Sequence, residues 1–347
     1  MQPSIKIIIV QPQGIGDQVM ITALLRLIKR SYNNSTVRMI VSTESAKAVI
    51  DGSLLIDEIV VFNRKKKGFF SHIKLIWDNF IFSPDVFYVS PPANKILGEL
   101  LSFLSGARIR IGISKTIPIF GFTHSNPNLA LMHRVDLHIN LFNLGLSLKS
   151  EPPKLSFNLT TEEIAIGNAF FLDNKLQNKF VLGMHVGSDS NSLFKRYPLD
   201  RFQLILKQYL NESQNNIAIL FFGPDEDHIA DKIEAHPRTI ILRKKPIKFI
   251  ASIIANLNLM LTSDSGLGHI SAALDIPTNS IFGPGDYKIY YPYGINNSLI
   301  MTEKNLSCRP CIYTQGYKNC EHFDCLNSIS TKQVLSSILK RVELLND

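Results

Sequence analysis

Short β-branched runs alternate with amphipathic stretches along most of this chain. Ile5 to Val10 is an uninterrupted apolar run closed by turn residues, the pattern of a strand buried on both faces in a parallel sheet. After the loop Gln11 to Asp17, the residues Val19, Leu24, Leu25, Leu27 and Ile28 recur at helical spacing and end in Lys29 and Arg30, charges suited to a helix C-terminus. Further strands are predicted at Val37 to Val41, Ile59 to Phe62 and Val86 to Val89, with helices at Ser45 to Asp51 and Lys95 to Ser105. Beyond Leu148 to Pro153, a polar stretch with two prolines, a second series begins. Its predicted strands are Phe180 to His185, Ile217 to Phe222, Thr239 to Leu242, Leu259 to Thr262 and Thr278 to Phe282. Its predicted helices are Leu199 to Asn211, Glu226 to Ala235, Ile247 to Asn256, Gly268 to Leu274 and a terminal one at Thr331 to Leu345. Strands alternating with helices argue for parallel α/β sheets. The expected organisation is two α/β domains, 1–150 and 151–330, with a C-terminal helix over 331–347.

Length agrees, since 347 residues suit two domains of about 150 residues each. A hydrophobic fraction of 45% against 19% charged residues excludes a disordered chain. The excess of 37 Lys and Arg over 29 Asp and Glu, a net charge of +8, favours anionic partners without choosing among them. No apolar run reaches the roughly 18 residues that span a bilayer, and the N-terminal apolar segment is too short for a secretion signal. The expectation is a cytoplasmic protein.

Open α/β sheets bind ligands at the carboxyl ends of their strands, so the chemistry is sought in those loops. In the first half, Gly14-Ile-Gly16-Asp17 follows the first strand directly. It lacks the third glycine of a dinucleotide fingerprint, and no Walker lysine follows any glycine run. Asp17 reads either as a first-turn acid or as a general base toward a sugar hydroxyl. In the second half, His185-Val-Gly-Ser188 precedes Lys195-Arg-Tyr-Pro198, offering a hydroxyl and cations to a diphosphate, or else a solvated basic pair before a helix. Gly223-Pro-Asp-Glu226 offers a carboxylate to ribose hydroxyls or simply a turn and a helix cap. The densest cluster is Thr262-Ser-Asp264-Ser265-Gly266-Leu-Gly-His269, where hydroxyls and glycines open a helix whose free amides can hold phosphate.

Asp17 in Gly-Asp-Gln-Val-Met-Ile-Thr-Ala-Leu, Lys195 in Lys-Arg-Tyr-Pro, and Asp264 in Asp-Ser-Gly-Leu-Gly-His-Ile-Ser-Ala-Ala-Leu together resemble glycosyltransferase family 9, the ADP-heptose:lipopolysaccharide heptosyltransferases. The likeness runs in order from Ile5 to about Val334, with Tyr197 and Ser265 standing where many members have Trp and Thr. The resemblance implies a GT-B fold, two Rossmann-like domains facing a central cleft, with the acceptor on the first and the nucleotide sugar on the second. It implies inverting transfer of heptose from ADP-heptose to a lipopolysaccharide inner core without a catalytic metal. Asp17 would be the base, and Ser188, Lys195, Glu226, Asp264, Ser265, Gly266 and His269 would bind the donor. Gly16 and Arg64 would meet the phosphorylated glycolipid acceptor. The run Arg64-Lys-Lys-Lys67, followed by Gly-Phe-Phe70, also suits peripheral contact with an anionic inner membrane, or else is a solvated surface. Competing readings are a heptosyltransferase acting on autotransporter proteins, a nucleotide-sugar epimerase of the same architecture, and a non-catalytic nucleotide-sugar or anionic-lipid binding module.

All four cysteines, Cys308, Cys311, Cys320 and Cys325, fall in one short segment. Clustered thiols in a reducing compartment suggest a structural zinc or iron, or else reduced or partly paired thiols. A nucleic-acid finger lacks the interleaved basic and aromatic residues expected of one, so no nucleic acid is expected.

Overall fold

The computed structural model describes residues 4–63, 68–91, 95–114, 121–187, 190–312 and 314–346. The chain divides into two compact units, Met1–Asn158 and Leu159–Asp347.

The first unit runs β1 (Ile5–Val10), α1 (Ile15–Met20), α2 (Thr22–Ser31), β2 (Ser35–Val41), α3 (Glu44–Ile50), β3 (Glu58–Val61), α4 (Phe69–Phe82), β4 (Val86–Val89), α5 (Lys95–Leu104), β5 (Ile109–Ile111) and α6 (Arg134–Phe142). Its five strands are parallel in the order β3-β2-β1-β4-β5. Ile7, Ile8 and Ile9 of the central strand are fully buried, as a strand covered on both faces requires. Ile8, Phe87 and Val89 form one core cluster with Leu75 of α4, and Leu101 of α5 packs against it. Tyr88 points to the opposite face, where its hydroxyl lies 2.7 Å from Nδ1 of His138 on α6. Val135, Leu141 and Phe142 of α6 fill the rest of that layer.

The second unit runs α7 (Thr161–Asp173), β6 (Phe180–His185), α8 (Leu199–Glu212), β7 (Asn216–Phe222), α9 (Asp227–Ala230), β8 (Thr239–Arg243), α10 (Ile247–Ile254), β9 (Leu259–Ser263), α11 (Gly266–Ala273), β10 (Thr278–Ile281), α12 (Tyr287–Tyr290), β11 (Asn297–Ile300), α13 (Asp324–Asn327) and α14 (Thr331–Asn346). Six parallel strands follow the order β11-β10-β9-β6-β7-β8. Both sheets therefore reverse strand order beside their first strand, between β1 and β4 and between β6 and β9, which are the switch points where such sheets leave a crevice.

The predicted strands β1, β4 and β6 keep the boundaries read from the pattern. Three differences have physical causes. The polar stretch near Pro152 is no free linker: Ser156 N donates to Thr22 Oγ1 at 2.9 Å, Asn158 Nδ2 donates to Gly52 O at 2.8 Å, and Leu155 and Phe157 are buried. These ties hold the chain on the first unit as far as Asn158, so the division falls later than Ser150. Residues 331–347 are not separate either, because Val334 and Ile338 of α14 lie fully buried in the core of the second unit. The helix expected over Glu226 to Ala235 closes after Ala230, since the amides of Lys232 and Ile233 bond only three residues back, to Ile229 O and Ala230 O, and the α-helical ladder ends.

His138 is fully buried, and burial pushes its imidazole well below the ordinary 6.5, with Arg134 and His133 acting in the same direction. The folded protein thus holds this ring neutral while the unfolded chain protonates it near 6.5. Stability is retained above that pH and is lost progressively as pH falls from 6.5 toward the depressed folded value. The melting temperature of the first unit is expected to drop on acidification from neutrality, with a shallower slope in His138→Gln; an unchanged slope would exclude His138 as the cause.

Candidate functional site

The site in the second unit is built from the carboxyl ends of β6, β7 and β9. Parallel pairing brings His185 opposite Thr262, so the loops leaving β6 and β9 emerge side by side. After β9 comes Asp264, buried, and then Ser265 as the N-cap of α11. The Ser265 side chain does not cap its own helix; its hydroxyl meets Thr262 Oγ1 at 2.7 Å instead. The amides of Gly266 to Gly268 in the first turn of α11 are thus not taken up by the Ser265 side chain. Gly268 lets α11 lie close on its strand, since a Cβ there would stand 2.9 Å from the Thr262 methyl.

Two buried carboxylates organise the charges. Asp264 Oδ2 lies 2.8 Å from Lys195 Nζ, with both side chains largely removed from solvent. Gly285, in the loop after β10, makes room for this carboxylate: a Cβ would come within 2.5 Å of Oδ2. The second carboxylate, Glu226, is 4% exposed. Its Oε2 accepts from Gly223 N at 2.6 Å and stands 3.5 Å from His185 Nε2, while Oε1 lies 3.3 Å from Arg196 Nη2. A Cβ at Gly187 would overlap the same carboxylate. Burial pushes the His185 imidazole below its usual value, with Arg196 adding to that and Glu226 opposing it, so the ring is neutral at neutral pH.

Lys195, Asp264, Ser265, Gly266 and His269 are thus gathered at one strand end, with Glu226 at the adjacent one. His269 is buried on α11 rather than standing free at the loop. Ser188 lies outside the described residues. Sequence reasoning left three contributors without a role: His185 as the partner of Glu226, and Gly187 and Gly285 as the clearances for the two carboxylates. The visible signal was a glycine one or two residues past a strand, at Gly187 and Gly223, followed by an acid later in the chain. Tyr197, standing where the pattern has an aromatic, is buried, and its hydroxyl donates to Ile329 O at 2.8 Å.

In the first unit, Gly16 and Asp17 fall in α1 at the carboxyl end of β1. Two buried glutamines fix the preceding turn: Gln11 Nε2 donates to Asp17 O at 3.0 Å, and Gln18 Nε2 donates to Gln11 O at 2.8 Å and Gln13 O at 3.0 Å. Asp17 is half-buried in the first turn of its helix. Arg64 lies outside the described residues.

The four cysteines lie near enough for Cys308, Cys311 and Cys320 all to raise the Cys325 thiol. Among the described residues no group of three or more His, Cys, Asp or Glu side chains is placed to hold an ion, so the expected zinc or iron finds no support. Cys325 instead packs as a small apolar residue in the core of the second unit, and burial pushes its thiol up to about 11. Cys308 is exposed, Cys311 is buried, and Cys320 Sγ accepts from Phe323 N at 3.4 Å. Arg309 acts on the Cys325 thiol in the opposite direction to burial, whereas Lys318 Nζ donates to Gln315 Oε1 and Arg341 Nη2 donates to Ser298 Oγ.

The model of the family described as glycosyltransferase family 9 (heptosyltransferase) matches residues 99–320. A lipooligosaccharide heptosyltransferase 2 of Campylobacter jejuni is 27% identical over 351 residues, covering 96% of this chain and 98% of the relative. Among solved structures, a family 9 glycosyltransferase from Veillonella parvula has a TM-score of 0.79 at 21% identity, covering 99% of this chain and 98% of its own. The Escherichia coli ADP-heptose lipopolysaccharide heptosyltransferase II has a TM-score of 0.76 at 17% identity, covering 99% of this chain and all of its own. The fold is that of these enzymes, GT-B.

Replacing Glu226 with Gln leaves Arg196 buried beside a neutral amide. The expected loss is about 3 kcal/mol of unfolding free energy, in keeping with breaking one side of a buried pair. Urea denaturation measures it, and a change below about 1 kcal/mol would mean that the pair is solvated.

Proposed function

This chain belongs to glycosyltransferase family 9 and is a glycosyltransferase, and from that premise we propose that it transfers heptose from ADP-heptose to the inner core of a lipopolysaccharide-type acceptor, with inversion. The observation that carries this reading is the Lys195–Asp264 pair at 2.8 Å beside the open N-terminus of α11. An ammonium fixed by a buried carboxylate next to a helix N-terminus is a stabilising environment for a departing diphosphate. The relatives add to it: one is a lipooligosaccharide heptosyltransferase, and a structural neighbour is an ADP-heptose lipopolysaccharide heptosyltransferase.

In the proposed reaction, the Asp17 carboxylate takes the proton of an acceptor hydroxyl while that oxygen forms a bond to the anomeric carbon. The anomeric C–O bond to the diphosphate breaks, and its electron pair leaves with ADP. Lys195, the amides of Ser265 to Gly268, His269 and the Ser188 hydroxyl meet the developing phosphate charge. Asp264 positions Lys195. Glu226 is the nucleotide-side carboxylate; because both its oxygens are engaged within the protein, it reaches a ribose hydroxyl by exchanging one of those partners. Gly16 and Arg64 are assigned to the acceptor side, Gly16 because its position in the first turn of α1 adjoins the base.

Asp17→Asn is expected to keep the thermal shift produced by ADP-heptose and to lose about 10² to 10⁴ in kcat, the usual worth of a general base. Lys195→Ala is expected to weaken donor binding and lower kcat together. A panel of nucleotide sugars read by thermal shift identifies the donor. If Asp17→Asn turns over at the wild-type rate, the base is another residue; if no ADP-sugar shifts the melting temperature, the donor assignment fails.

A further inference from the structure

Lys195 and Arg196 are held from within the site by Asp264 and Glu226, yet the backbone that carries them is not a regular element. The 3₁₀ segment Ser190–Lys195 is interrupted at Ser192, whose φ of −129° and ψ of 32° are not helical. Its last turn closes with Arg196 N donating to Leu193 O at 3.1 Å. A long lysine side chain on so short a turn keeps its place only if the turn keeps its own. Phe194, the residue before Lys195, lies flat on Tyr317: the ring centroids are 3.8 Å apart and the interplanar angle is 18°. Both rings are half-buried, and with Arg196, Phe323 and Leu326 they line a cavity of about 520 Å³. The pair therefore stands at an open wall rather than inside a filled core.

Tyr317 belongs to the cysteine segment, to which the proposed reaction assigns no part, and sits on the short turn Gly316–Asn319. The base of that segment is fixed to the core of the second unit. Thr302 and Ser328, at its two ends, share a hydrogen bond of 2.6 Å between their hydroxyls, and Gln333 Nε2 on α14 donates to Met301 O at 2.9 Å. Cys325 and Leu326 are buried in the core, and Arg201 Nη1 on α8 donates to Ile329 O at 3.1 Å. Nearer the ring, Thr314 Oγ1 donates to Cys311 O at 3.2 Å, and Lys318 Nζ donates to Gln315 Oε1 at 2.6 Å. The Tyr317 backbone also hydrogen-bonds to the sulfur of buried Cys311. A loop with a fixed base and a tied tip thus presents the ring to Phe194.

We propose that Tyr317 is a positioning residue: its ring, stacked on Phe194, holds the turn before Lys195 so that the lysine ammonium stays on Asp264 at the strand end. The ion pair fixes the tip of the Lys195 side chain, and the stack fixes its root one residue away. With both ends held, fewer rotamers remain to be lost when an anion binds. A flat ring suits this task, because a close parallel stack resists tilting as well as separation, which an apolar side chain of similar bulk does not. For its purpose the proposal rests on the reading of Lys195 as the cation that meets the departing diphosphate, where a misplacement of about 1 Å can cost on the order of 10² in rate.

Tyr317→Leu keeps apolar bulk and removes the flat ring, whereas Tyr317→Phe keeps the ring. Amide hydrogen exchange of the unliganded protein reads the restraint directly. A peptide covering residues 193–198 is expected to exchange faster in Tyr317→Leu, with β6 and the melting temperature close to those of the parent, and Tyr317→Phe is expected to match the parent throughout. ADP affinity, measured by isothermal titration calorimetry, reads the consequence. Tyr317→Leu is expected to weaken it roughly three- to tenfold, the worth of an aromatic pair, and to add nothing further in a Lys195→Ala background. If Tyr317→Leu does not fold, Phe194→Leu breaks the same stack from its other side and carries the same expectations. Unchanged exchange over 193–198 overturns the proposal. So does parent-like ADP affinity in Tyr317→Leu when Lys195→Ala has lost it, or a loss of equal size with Lys195 present and replaced, because the ring then acts other than through Lys195. Faster exchange over 193–198 beside a Lys195→Ala protein that binds ADP like the parent removes the diphosphate reading of Lys195 and leaves the restraint by Tyr317 standing.

Discussion

Parallel pairing of β6 with β9 is the constraint from which the geometry at the strand ends of the second unit follows. Because the strands run the same way, His185 stands opposite Thr262 and both chains leave the sheet at one edge. The next helix along the chain must return antiparallel to its strand, so its positive end points back to that edge. Reversal of strand order at the same place removes the crossover that would otherwise cover it. A glycine-bearing loop and a helix N-terminus thus arise together from topology. The first unit repeats the arrangement at β1 and β4, which is why Asp17 occupies the equivalent edge of its own sheet.

Charge at the second edge is arranged as two acid-cation pairs. A buried carboxylate is costly unless a cation and hydrogen bonds meet it, and both Asp264 and Glu226 are so met. The glycines matter because a carboxylate and a side chain cannot fill one space: Gly187 and Gly285 yield theirs to Glu226 and Asp264. Such pairs add little to net stability compared with apolar packing, so their presence at a strand end is better explained by positioning. Lys195 and Arg196, neighbours in sequence, are each held by a different carboxylate. Their ammonium and guanidinium are thereby held in place at the strand ends.

The helices of the first unit show a different economy. On one sheet face, α6 buries an almost continuous apolar surface and even a histidine-tyrosine pair. On the other, α4 and α5 reach the core through a few residues, Leu75 and Leu101 among them, and leave their larger apolar faces outward. Folding alone gives no reason to keep aromatics there, because their exposure gains nothing from burial on folding and invites association.

Much of the fold was legible from local pattern. Fully buried strands such as Ile5–Val10 and Phe180–His185 announce themselves because a parallel strand covered on both faces tolerates only apolar residues. Helix α4 was not legible, since apolar residues on its outer as well as its inner side erase the periodicity that marks a helix. The strands β5 and β11 went unread because they are short and only half-buried. The candidate site divides in the same way. Sequence alone determined two α/β units and the strand-end acids and cations, because residue type, spacing and burial pattern are local properties. Only the tertiary structure decided that Lys195 belongs to Asp264 and Arg196 to Glu226, that Cys325 is core, and that the chain up to Asn158 stays with the first unit. Those outcomes depend on contacts between residues distant in sequence, and it is the register of parallel strands, a property of no single segment, that sets which distant residues meet.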